Sequence, residues 1–328
     1  MDISIIVCTF RRPDSLRRTL LSVIEQTPLP SCDVEIIIVD NDEFRSAAPI
    51  FNEVKEKSKT YFLRYTHEPQ QGVAHARNRG LTAAKGTILL WVDDDICAPS
   101  NWLADMARPL LTGEADGVAG KVRLAEEVDK PWMEPFHRTA LASTEAIEDG
   151  QIKSIISASM GFRRGVLQQV PSFDTELGAG ALGASEDVLF SWQLQEAGCT
   201  IQFVDSVCAM HFPNVNRLSR QAFLDLAEAR GRSLAYIRYH WMHRSESHWT
   251  HREKTPRWQR FLRNAHIVHA KRYLDWKRVC MGPEPSKGKK PINKCEYWTT
   301  LNYASIAQFM IERNRERNYD YRGLVKRK

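Results

Sequence analysis

Residues 3–25 read ISIIVCTFRRPDSLRRTLLSVIE, in which a strand-like run, a polar loop and a helix-like run follow one another. Ile3–Cys8 is short and β-branched, Thr9–Asp14 is polar, and Ser15–Glu25 repeats its apolar residues at helical spacing. The alternation continues through apolar runs at 34–39, 61–65 and 88–92 and helical stretches at 47–57 and 73–85. Continuous apolar strands separated by helices predict an α/β fold, with a mostly parallel sheet covered on both faces.

The pattern is more mixed after residue 100. It predicts helices at 101–111, 185–197 and 219–239, and strands at 118–124, 154–159 and 200–204. Beyond residue 240 we expect a basic helix at 257–279, a Pro/Gly/Lys linker at 281–290 and a last helix at 297–315. One large α/β domain with a largely helical extension is therefore predicted.

The net charge of +6 hides two regions of opposite sign. Residues 1–230 carry 23 Lys and Arg against 32 Asp and Glu, whereas residues 231–328 carry 23 against 8. The second region also holds 14 of the 31 aromatic residues and six of the ten histidines. A basic, aromatic extension indicates a polyanion or a membrane surface as its partner.

The composition favours a cytoplasmic protein with reduced thiols. The seven cysteines are widely spread and form no C-x-x-C pair, which argues against a disulfide scaffold or a zinc ribbon. No window contains the roughly 20 uninterrupted apolar residues of a membrane-spanning helix. Met1–Cys8 lacks a basic n-region and a small-residue cleavage site, so we expect no signal peptide there.

Three carboxylates, Asp93, Asp94 and Asp95, follow the buried run at 88–92. They repel one another unless a cation or hydrogen-bond donors compensate, and Mg²⁺ typically takes one or two carboxylates plus substrate phosphates. If the segment is extended, Asp93 and Asp95 share a face while Asp94 points away. The alternative is a helix N-cap and turn cluster before Pro99.

Two arginines follow Gly72, which suits the start of a helix whose free N–H groups favour anions. Arg77 and Arg79 gain nothing from the helix dipole at this position, which suggests a phosphate ligand. A surface ion pair with Glu68 is the alternative.

Two acids, Glu186 and Asp187, follow Ser185, a good N-cap residue. Adjacent helical positions face different directions, so only one of the two acids can face a site. The helical face of Asp187 carries further polar residues, which favours Asp187. The preceding Gly178–Ala184 run is expected to flex over a substrate. His211 follows an apolar run, and although a lone histidine is usually structural, it could complete a divalent site or contact phosphate.

In order, these motifs resemble the family-2 inverting glycosyltransferases with the GT-A fold, especially bacterial exopolysaccharide enzymes of the succinoglycan-glucosyltransferase type. The matching segments are C-T-F-R-R-P at 8–13, V-D-N-D at 39–42, A-R-N at 76–78, V-D-D-D at 92–95, E-D at 186–187 and H-F-P at 211–213. The likeness spans about residues 1–245, and several ordered motifs are far more specific than one.

The resemblance implies a seven-stranded mixed sheet flanked by helices in a catalytic domain at 1–240. Its nucleotide-sugar half would be about 1–115 and its acceptor half about 116–240, with residues 241–328 as the basic extension. It also implies metal-dependent, inverting transfer of one sugar from a nucleotide-diphospho-sugar, expected to be UDP-linked. The acceptor would be a saccharide or lipid-linked saccharide in bacterial cell-surface polysaccharide biosynthesis.

The resemblance also implies residue roles. Asp187 would be the general base, and Asp95 would bind Mg²⁺ or Mn²⁺ with His211 as a further ligand. The implied donor-binding set is Thr9, Arg11 and Asp40 on the nucleoside, Asn41 beside them, Arg77 near the diphosphate, and Asp93 on the ribose or the metal. The commoner T-Y-N-R is Thr9-Phe10-Arg11-Arg12 in this chain, so the role of Arg12 is left open.

Two other functions fit parts of the sequence. A sugar nucleotidyltransferase would need a glycine-rich phosphate loop after the first strand, and residues 9–12 contain no glycine. A nucleic-acid binder would use the basic extension but leave the motifs of the first region idle, so we expect no nucleic-acid partner. We expect residues 240–328 to dock peripherally on the anionic inner face of the cell membrane. The alternative is a basic cap on the catalytic domain or an oligomer interface.

Overall fold

The computed structural model describes residues 1–145, 155, 157–242 and 291–319. It divides the chain into two compact units, Met1–Ala181 with Ser185–Val215, and Leu182–Ala184 with Asn216–Lys328. The first unit therefore ends earlier than the boundary that the sequence suggested at residue 240. The helix expected at 257–279 and the linker at 281–290 lie outside the described residues.

The secondary structure follows the predicted alternation. The strands are β1 Ile3–Thr9, β2 Val34–Asp40, β3 Phe62–His67, β4 Ile88–Val92, β5 Ile96–Cys97, β6 Gly117–Leu124, β7 Ser159–Arg163 and β8 Ile201–His211. The helices are α1 Pro13–Ile24, α2 Ala48–Lys57, α3 Val73–Ala83, α4 Trp102–Thr112, α5 Pro135–Ala140, α6 Glu186–Glu196, α7 Arg220–His240 and α8 Lys294–Glu312.

In the described part of the chain the strands form one mixed sheet in the order β3-β2-β1-β4-β7-β6-β8-β5. The pairs β1–β2, β1–β4, β2–β3 and β6–β8 are parallel, whereas β4–β7, β6–β7 and β5–β8 are antiparallel. The sheet has eight strands where seven were expected, because the two-residue β5 pairs Ile96 with His211 and Cys97 with Met210.

The strand expected at 154–159 is found further along the chain, since residues 157–158 form a turn; residues 154 and 156 lie outside the described part of the chain. Strand β7 begins at Ser159, where the predicted segment 154–159 ends. Its central Gly161 hides the β pattern, because glycine is depleted in strands. Glycine suits the tight packing there, since a Cβ would lie 2.4 Å from the Leu90 side chain and 3.1 Å from the Leu89 carbonyl oxygen on β4. β8 is also longer than expected and continues to His211.

The buried strands explain why the first half of the sequence is so apolar. Every residue of β2 and β4 is buried. On β1, Ile5 packs into the core cluster that includes side chains of α1, α2 and α4. The next residue, Ile6, faces α3, where a Cβ on Gly80 would lie 2.6 Å from it. The two faces of the sheet are thus covered by different helices, as parallel strands require.

In the second unit, α7 and α8 run parallel to each other. Arg220 and Glu296 pair at 2.8 Å near the starts of the two helices, and His240 and Glu312 pair at 2.9 Å near their ends. The helices approach closely at Gly231, where a Cβ would lie 2.2 Å from a backbone carbonyl of α8. None of the helices in the described residues has the length and apolar character needed to cross a membrane.

Candidate active site

The polar residues singled out in the sequence gather at one edge of the sheet. β1, β2 and β4 are parallel and end at Thr9, Asp40 and Val92, and β8 ends at His211 in the same direction. Ligands of such sheets bind beyond the carboxyl ends of the strands. This edge is therefore the candidate active site.

The segment Asp93–Asp95 is a turn, so the expected alternation of an extended chain was wrong. The amide of Ile96 donates to the carbonyl of Asp93 at 3.2 Å, because the chain must reverse at once to enter β5. Nη1 of Arg12 donates to Oδ1 of Asp94 and to Oδ2 of Asp95, each at 3.0 Å. Asp94 and Asp95 thus share one arginine, and Arg12 gains a role that the sequence did not give.

Asp94 is held inside the protein. Its Oδ2 accepts a hydrogen bond from Oγ1 of Thr9 at 2.7 Å. Burial raises the pKa of Asp94 to about 6, against the opposing effects of Arg12 and the Thr9 hydroxyl. The Thr9 hydroxyl therefore helps to hold the Asp93–Asp95 turn in place.

His211 and Asp95 form a buried pair. Nδ1 of His211 lies 2.8 Å from the carbonyl oxygen of Leu141, which can only accept, so Nδ1 carries the hydrogen. Nε2 lies 3.3 Å from Oδ1 of Asp95. In the neutral ring this places two acceptors face to face, an arrangement that a cation satisfies. Histidine ligands of metals commonly donate their other nitrogen to a carbonyl in this way.

The donor set at the edge fits a divalent cation with part of its coordination left for a ligand. Asp95 and His211 are buried, and the side chain of Asp93 is 36% exposed. Across the described ranges, no group of three or more His, Cys, Asp or Glu side chains is arranged to hold a metal ion. Mg²⁺ sites usually use one or two carboxylates and take the remaining ligands from water and substrate phosphates.

The carboxylate of Asp40 is bonded within its own loop. It is fully buried and accepts from the amides of Asp42 at 3.0 Å and Ala47 at 2.8 Å, and from the Tyr65 hydroxyl at 2.8 Å. These contacts shape the loop after β2, and they leave base recognition by Asp40 a prediction.

Asn41 joins this loop to the start of α3. Its Oδ1 accepts from the amide of Gly72 at 2.8 Å, and its Nδ2 donates to the carbonyls of Glu68 at 2.8 Å and Gln70 at 2.7 Å. The amide of Val73 donates to the carbonyl of Ala179 at 2.9 Å. The amides of Gly72 and Val73 thus already have partners. The prediction that they bind an anion was therefore wrong.

Arg11 lies at the rim of the site beside two exposed aromatic rings. Its Nε donates to Oδ1 of Asp42 at 2.9 Å, and its guanidinium lies 4.9 Å from the Phe10 ring and 5.5 Å from the Phe44 ring. Arg11 adopts a left-handed φ of 54°, a conformation that is rare for residues with a side chain. Sequence reasoning missed Phe44, which stands in no recognised motif, and gave no role to Asp42, although Asp42 ends the V-D-N-D segment.

Arg77 is buried and does not pair with Glu68, so that alternative was wrong. Its Nη1 donates to Oε1 of Glu186, and its Nη2 lies 3.5 Å from Oδ1 of Asp93. Burial lowers the pKa of the Arg77 guanidinium, but the neighbouring acids outweigh it and hold that pKa above its usual value. Arg79 instead donates from Nε to the Thr66 hydroxyl at 2.9 Å.

The two acids at the start of α6 have different environments, as the helical geometry predicted. Glu186 is buried, and burial raises its pKa against the effect of Arg77. Asp187 is half-buried, and its Oδ2 accepts from the amide of Ser157 at 3.0 Å. Ser185 occupies the N-cap position with a left-handed φ of 72°, but its side chain makes no capping hydrogen bond, contrary to expectation.

The glycine-rich segment before α6 packs against the start of α3 over its first residues. Gly178 and Gly180 have left-handed φ values of 86° and 91°. A Cβ on Gly180 would lie 2.8 Å from the Cα of Gly72, so the two backbones require glycine to approach. This contact fixes the part of the segment that the sequence predicted to flex.

Comparisons with known proteins agree with the fold. The family model described as Glycosyl transferase family 2 matches residues 4–170, about half of the chain. Succinoglycan biosynthesis protein ExoM of Rhizobium meliloti is 29% identical over 207 residues, which cover 62% of this chain and 64% of the relative. Glucosyl-dolichyl phosphate glucuronosyltransferase of Haloferax volcanii is 23% identical over 188 residues, which cover 54% and 58%. The chain thus spans about three fifths of these relatives.

Two solved structures share the fold at low sequence identity. The mannosyltransferase PcManGT from Pyrobaculum calidifontis, in complex with GDP-Man and Mn²⁺, has a TM-score of 0.56 at 16% identity, with 94% of this chain and 86% of that chain covered. S. aureus TarS 1-349 in complex with UDP-GlcNAc has a TM-score of 0.52 at 16% identity, with 98% and 93% covered. The GT-A fold expected from the motifs is confirmed.

Proposed function

Since the chain belongs to glycosyl transferase family 2, we propose that it transfers one sugar from a nucleotide-diphospho-sugar to a hydroxyl of a saccharide or lipid-linked saccharide. The observation that carries this proposal is the meeting of Asp93, Asp95, His211 and Asp187 at one edge of the sheet. The relative named for succinoglycan biosynthesis supports a role in cell-surface polysaccharide assembly.

Asp95 and His211 would hold Mg²⁺ or Mn²⁺, with Asp93 beside them on the more exposed side. The bound ion would neutralise negative charge on the departing diphosphate. Arg12 holds Asp95 from the other side, because its Nη1 lies 3.0 Å from Oδ2. The carboxylate therefore keeps one oriented oxygen, Oδ1, toward His211.

Asp187 is proposed as the general base. Its carboxylate is half-buried and is oriented by the Ser157 amide, so it can take the proton of an acceptor hydroxyl as that oxygen attacks. One base is sufficient for inversion, because no covalent intermediate on the protein is needed. The buried pair of Glu186 with Arg77 favours Asp187 over Glu186 for this role.

The nucleoside would lie over the ends of β1 and β2, near Arg11 and Thr9. The exposed rings of Phe10 and Phe44 flank the Arg11 guanidinium and offer faces on which a base can stack. Asp40 and Asn41 would support this end by fixing the loops beneath it. A UDP-linked donor is proposed, in line with the family resemblance.

A nucleotide-release assay tests the proposal. The full chain is incubated with UDP-, GDP- and dTDP-sugars, Mn²⁺ and candidate acceptors, with and without chelator. Release of a nucleoside diphosphate that requires both acceptor and divalent ion supports the function. Formation of a nucleotide-sugar from a nucleoside triphosphate and a sugar phosphate, without transfer, would instead identify a nucleotidyltransferase.

The second unit is proposed to contact an anionic membrane surface. Ile311 is 58% exposed at the end of α8, next to the exposed Arg313. Arg317 lies 4.9 Å over the Tyr239 ring, whose hydroxyl donates to the Arg313 carbonyl at 3.3 Å. Each basic residue near anionic lipid contributes about 1 kcal/mol.

Vesicle flotation tests the membrane proposal. Arg313→Glu combined with Arg317→Glu should weaken binding to phosphatidylglycerol vesicles about tenfold or more, whereas Arg108→Glu in the first unit should not. Equal binding of all variants would reject this surface.

A further inference from the structure

Arg77 links two parts of the candidate active site from inside the protein. It lies on α3, it is 2% exposed, and its amino groups reach Glu186 at the start of α6 and Asp93 after β4. Its guanidinium lies 5.7 Å from the Phe173 ring. Nε of Arg77 is buried without a hydrogen-bond partner in the described part of the chain. The side chain is thus held by charge rather than by a full set of hydrogen bonds.

The contacts continue from Asp93 back to α6. Oδ2 of Asp93 lies 3.5 Å from the hydroxyl of Ser157, and the amide of Ser157 donates to Oδ2 of Asp187 at 3.0 Å. Asp187 adjoins Glu186 in the first turn of α6. Arg77, Asp93, Ser157, Asp187 and Glu186 therefore form a closed ring of contacts, in which the proposed base and an aspartate of the proposed metal site are both members.

The first turn of α6 contributes Glu186 and Asp187 to this ring. The N-cap residue Ser185 makes no side-chain capping bond, so the helix is not fixed in the usual way. Gly178 leaves the space that Glu186 occupies, because a Cβ at that left-handed residue would lie 2.7 Å from Oε2 of Glu186. The buried pair is accordingly built into the surrounding backbone.

We propose that Arg77 and Glu186 are positioning residues, which fix the first turn of α6 and so hold the Asp187 carboxylate in register with Asp93. The proposal rests on the proposed function, in which Asp187 accepts the proton. It gives Arg77 a role different from the diphosphate contact that the family resemblance implies, because a direct contact would require its two carboxylate partners to be released.

A role in stability alone makes a different prediction. Replacing both members of a buried ion pair by apolar residues of similar size is often neutral or stabilising, whereas removing one member is strongly destabilising. The variant with both Arg77→Met and Glu186→Met therefore separates the two roles. It removes the charges and keeps the volume, so the global fold can recover while the orientation of the turn is lost.

The experiment compares the two single variants and the double variant with wild type. Thermal unfolding, hydrogen exchange of the amides at 187–190, and steady-state transfer are measured. We expect the double variant to unfold near the wild-type temperature, while the first turn of α6 exchanges about tenfold faster or more. kcat should fall about 100-fold with donor KM changed by less than about threefold, because a displacement near 1 Å has that effect on rate.

The pair Arg64–Glu35 provides the matched control. It joins a partly exposed arginine to a fully buried glutamate at 2.8 Å, within the same sheet. Arg64→Met with Glu35→Met should leave kcat and the exchange at 187–190 unchanged. If the double variant at Arg77 and Glu186 does not fold, the isosteric Glu186→Gln is measured in its place, with the same expected loss of kcat.

Wild-type exchange and wild-type kcat in the Arg77 and Glu186 double variant would overturn the proposal. Failure of the proposed function is a separate result, in which wild type transfers no sugar from any donor. The exchange measurement still decides in that case whether the pair fixes the first turn of α6.

Discussion

Arg12 and Arg17 allow a direct test of how partner burial controls the strength of an ion pair. Both side chains are about equally exposed, at 45% and 38%, and each bridges two carboxylates at 2.9–3.0 Å. The partners of Arg12, Asp94 and Asp95, are each 6% exposed. The partners of Arg17, Asp14 and Glu53, are 93% and 34% exposed. The distances and charges of the two sets are thus similar, whereas the burial of the carboxylates differs strongly.

The expected costs follow from this difference. Removing one partner of a buried ion pair costs about 3–5 kcal/mol, because a charge is left buried without compensation. Water reaches the half-exposed Arg12, so we reduce this to about 2 kcal/mol for Arg12→Met. Arg17→Met should cost much less, as is typical of surface pairs. The unfolding temperature should then fall by about 4–8 °C for Arg12→Met and by clearly less for Arg17→Met.

Thermal unfolding with and without divalent ions is the appropriate assay. The carboxylates of Asp94 and Asp95 repel each other once Arg12 is gone, so Mn²⁺ should raise the unfolding temperature of Arg12→Met more than that of wild type. Arg17→Met should respond to Mn²⁺ as wild type does. Equal losses for the two variants in chelator would refute the reasoning, since they would show that carboxylate burial does not set the cost.

Three further predictions concern single residues. Asp187→Asn should lower kcat about 10²–10⁴-fold while calorimetry finds nucleotide binding unchanged, because an amide cannot accept the proton; turnover within tenfold of wild type would remove Asp187 from the base role. Burial raises the pKa of Glu35, but its arginine, serine and amide donors outweigh this and hold the pKa below its usual value. Ionised Glu35 therefore stabilises the fold at pH values above its pKa in the unfolded chain. This contribution is lost as the pH falls through its pKa in the folded protein. Glu35→Gln should lower the free energy of unfolding by about 1–3 kcal/mol at neutral pH and by progressively less under acid conditions, and a urea titration series that shows a constant gap would contradict this. Burial raises the pKa of the Cys8 thiol to about 12, so iodoacetamide at mildly alkaline pH should modify the exposed Cys295 and spare Cys8, as peptide mass spectrometry can establish.

Much of the sheet could be predicted because parallel strands are buried on both faces. The runs at 34–39 and 88–92 are continuous and apolar, and they correspond to β2 and β4 almost residue for residue. The prediction failed at β7, where Gly161 packs closely against a neighbouring strand and has no side chain that would signal a strand. A buried strand is recognised in a sequence by its run of apolar side chains. A glycine at the centre of a strand interrupts that run, so the strand is not recognised.

The candidate site was predictable in its location but not in its pairings. Strand order places the ends of β1, β2 and β4 together, so Thr9, Asp40 and Asp93 could be grouped from the pattern alone. Arg77 and Glu186 are 109 residues apart, and periodicity within a helix reports only on neighbours three or four positions away. The partners of a buried charge depend on tertiary packing, which the sequence pattern does not encode locally.

The net charge of the assembled site depends on how many arginines and acids its motifs bring together. Three arginines, Arg11, Arg12 and Arg77, each contact acids of the site, and they come from different motifs than the acids. Seven acidic side chains nevertheless gather at this edge, namely Asp40, Asp42, Asp93, Asp94, Asp95, Glu186 and Asp187. The formal excess is negative, and a donor diphosphate would add to it. A divalent cation is therefore expected to be needed for donor binding itself, as well as for departure of the diphosphate.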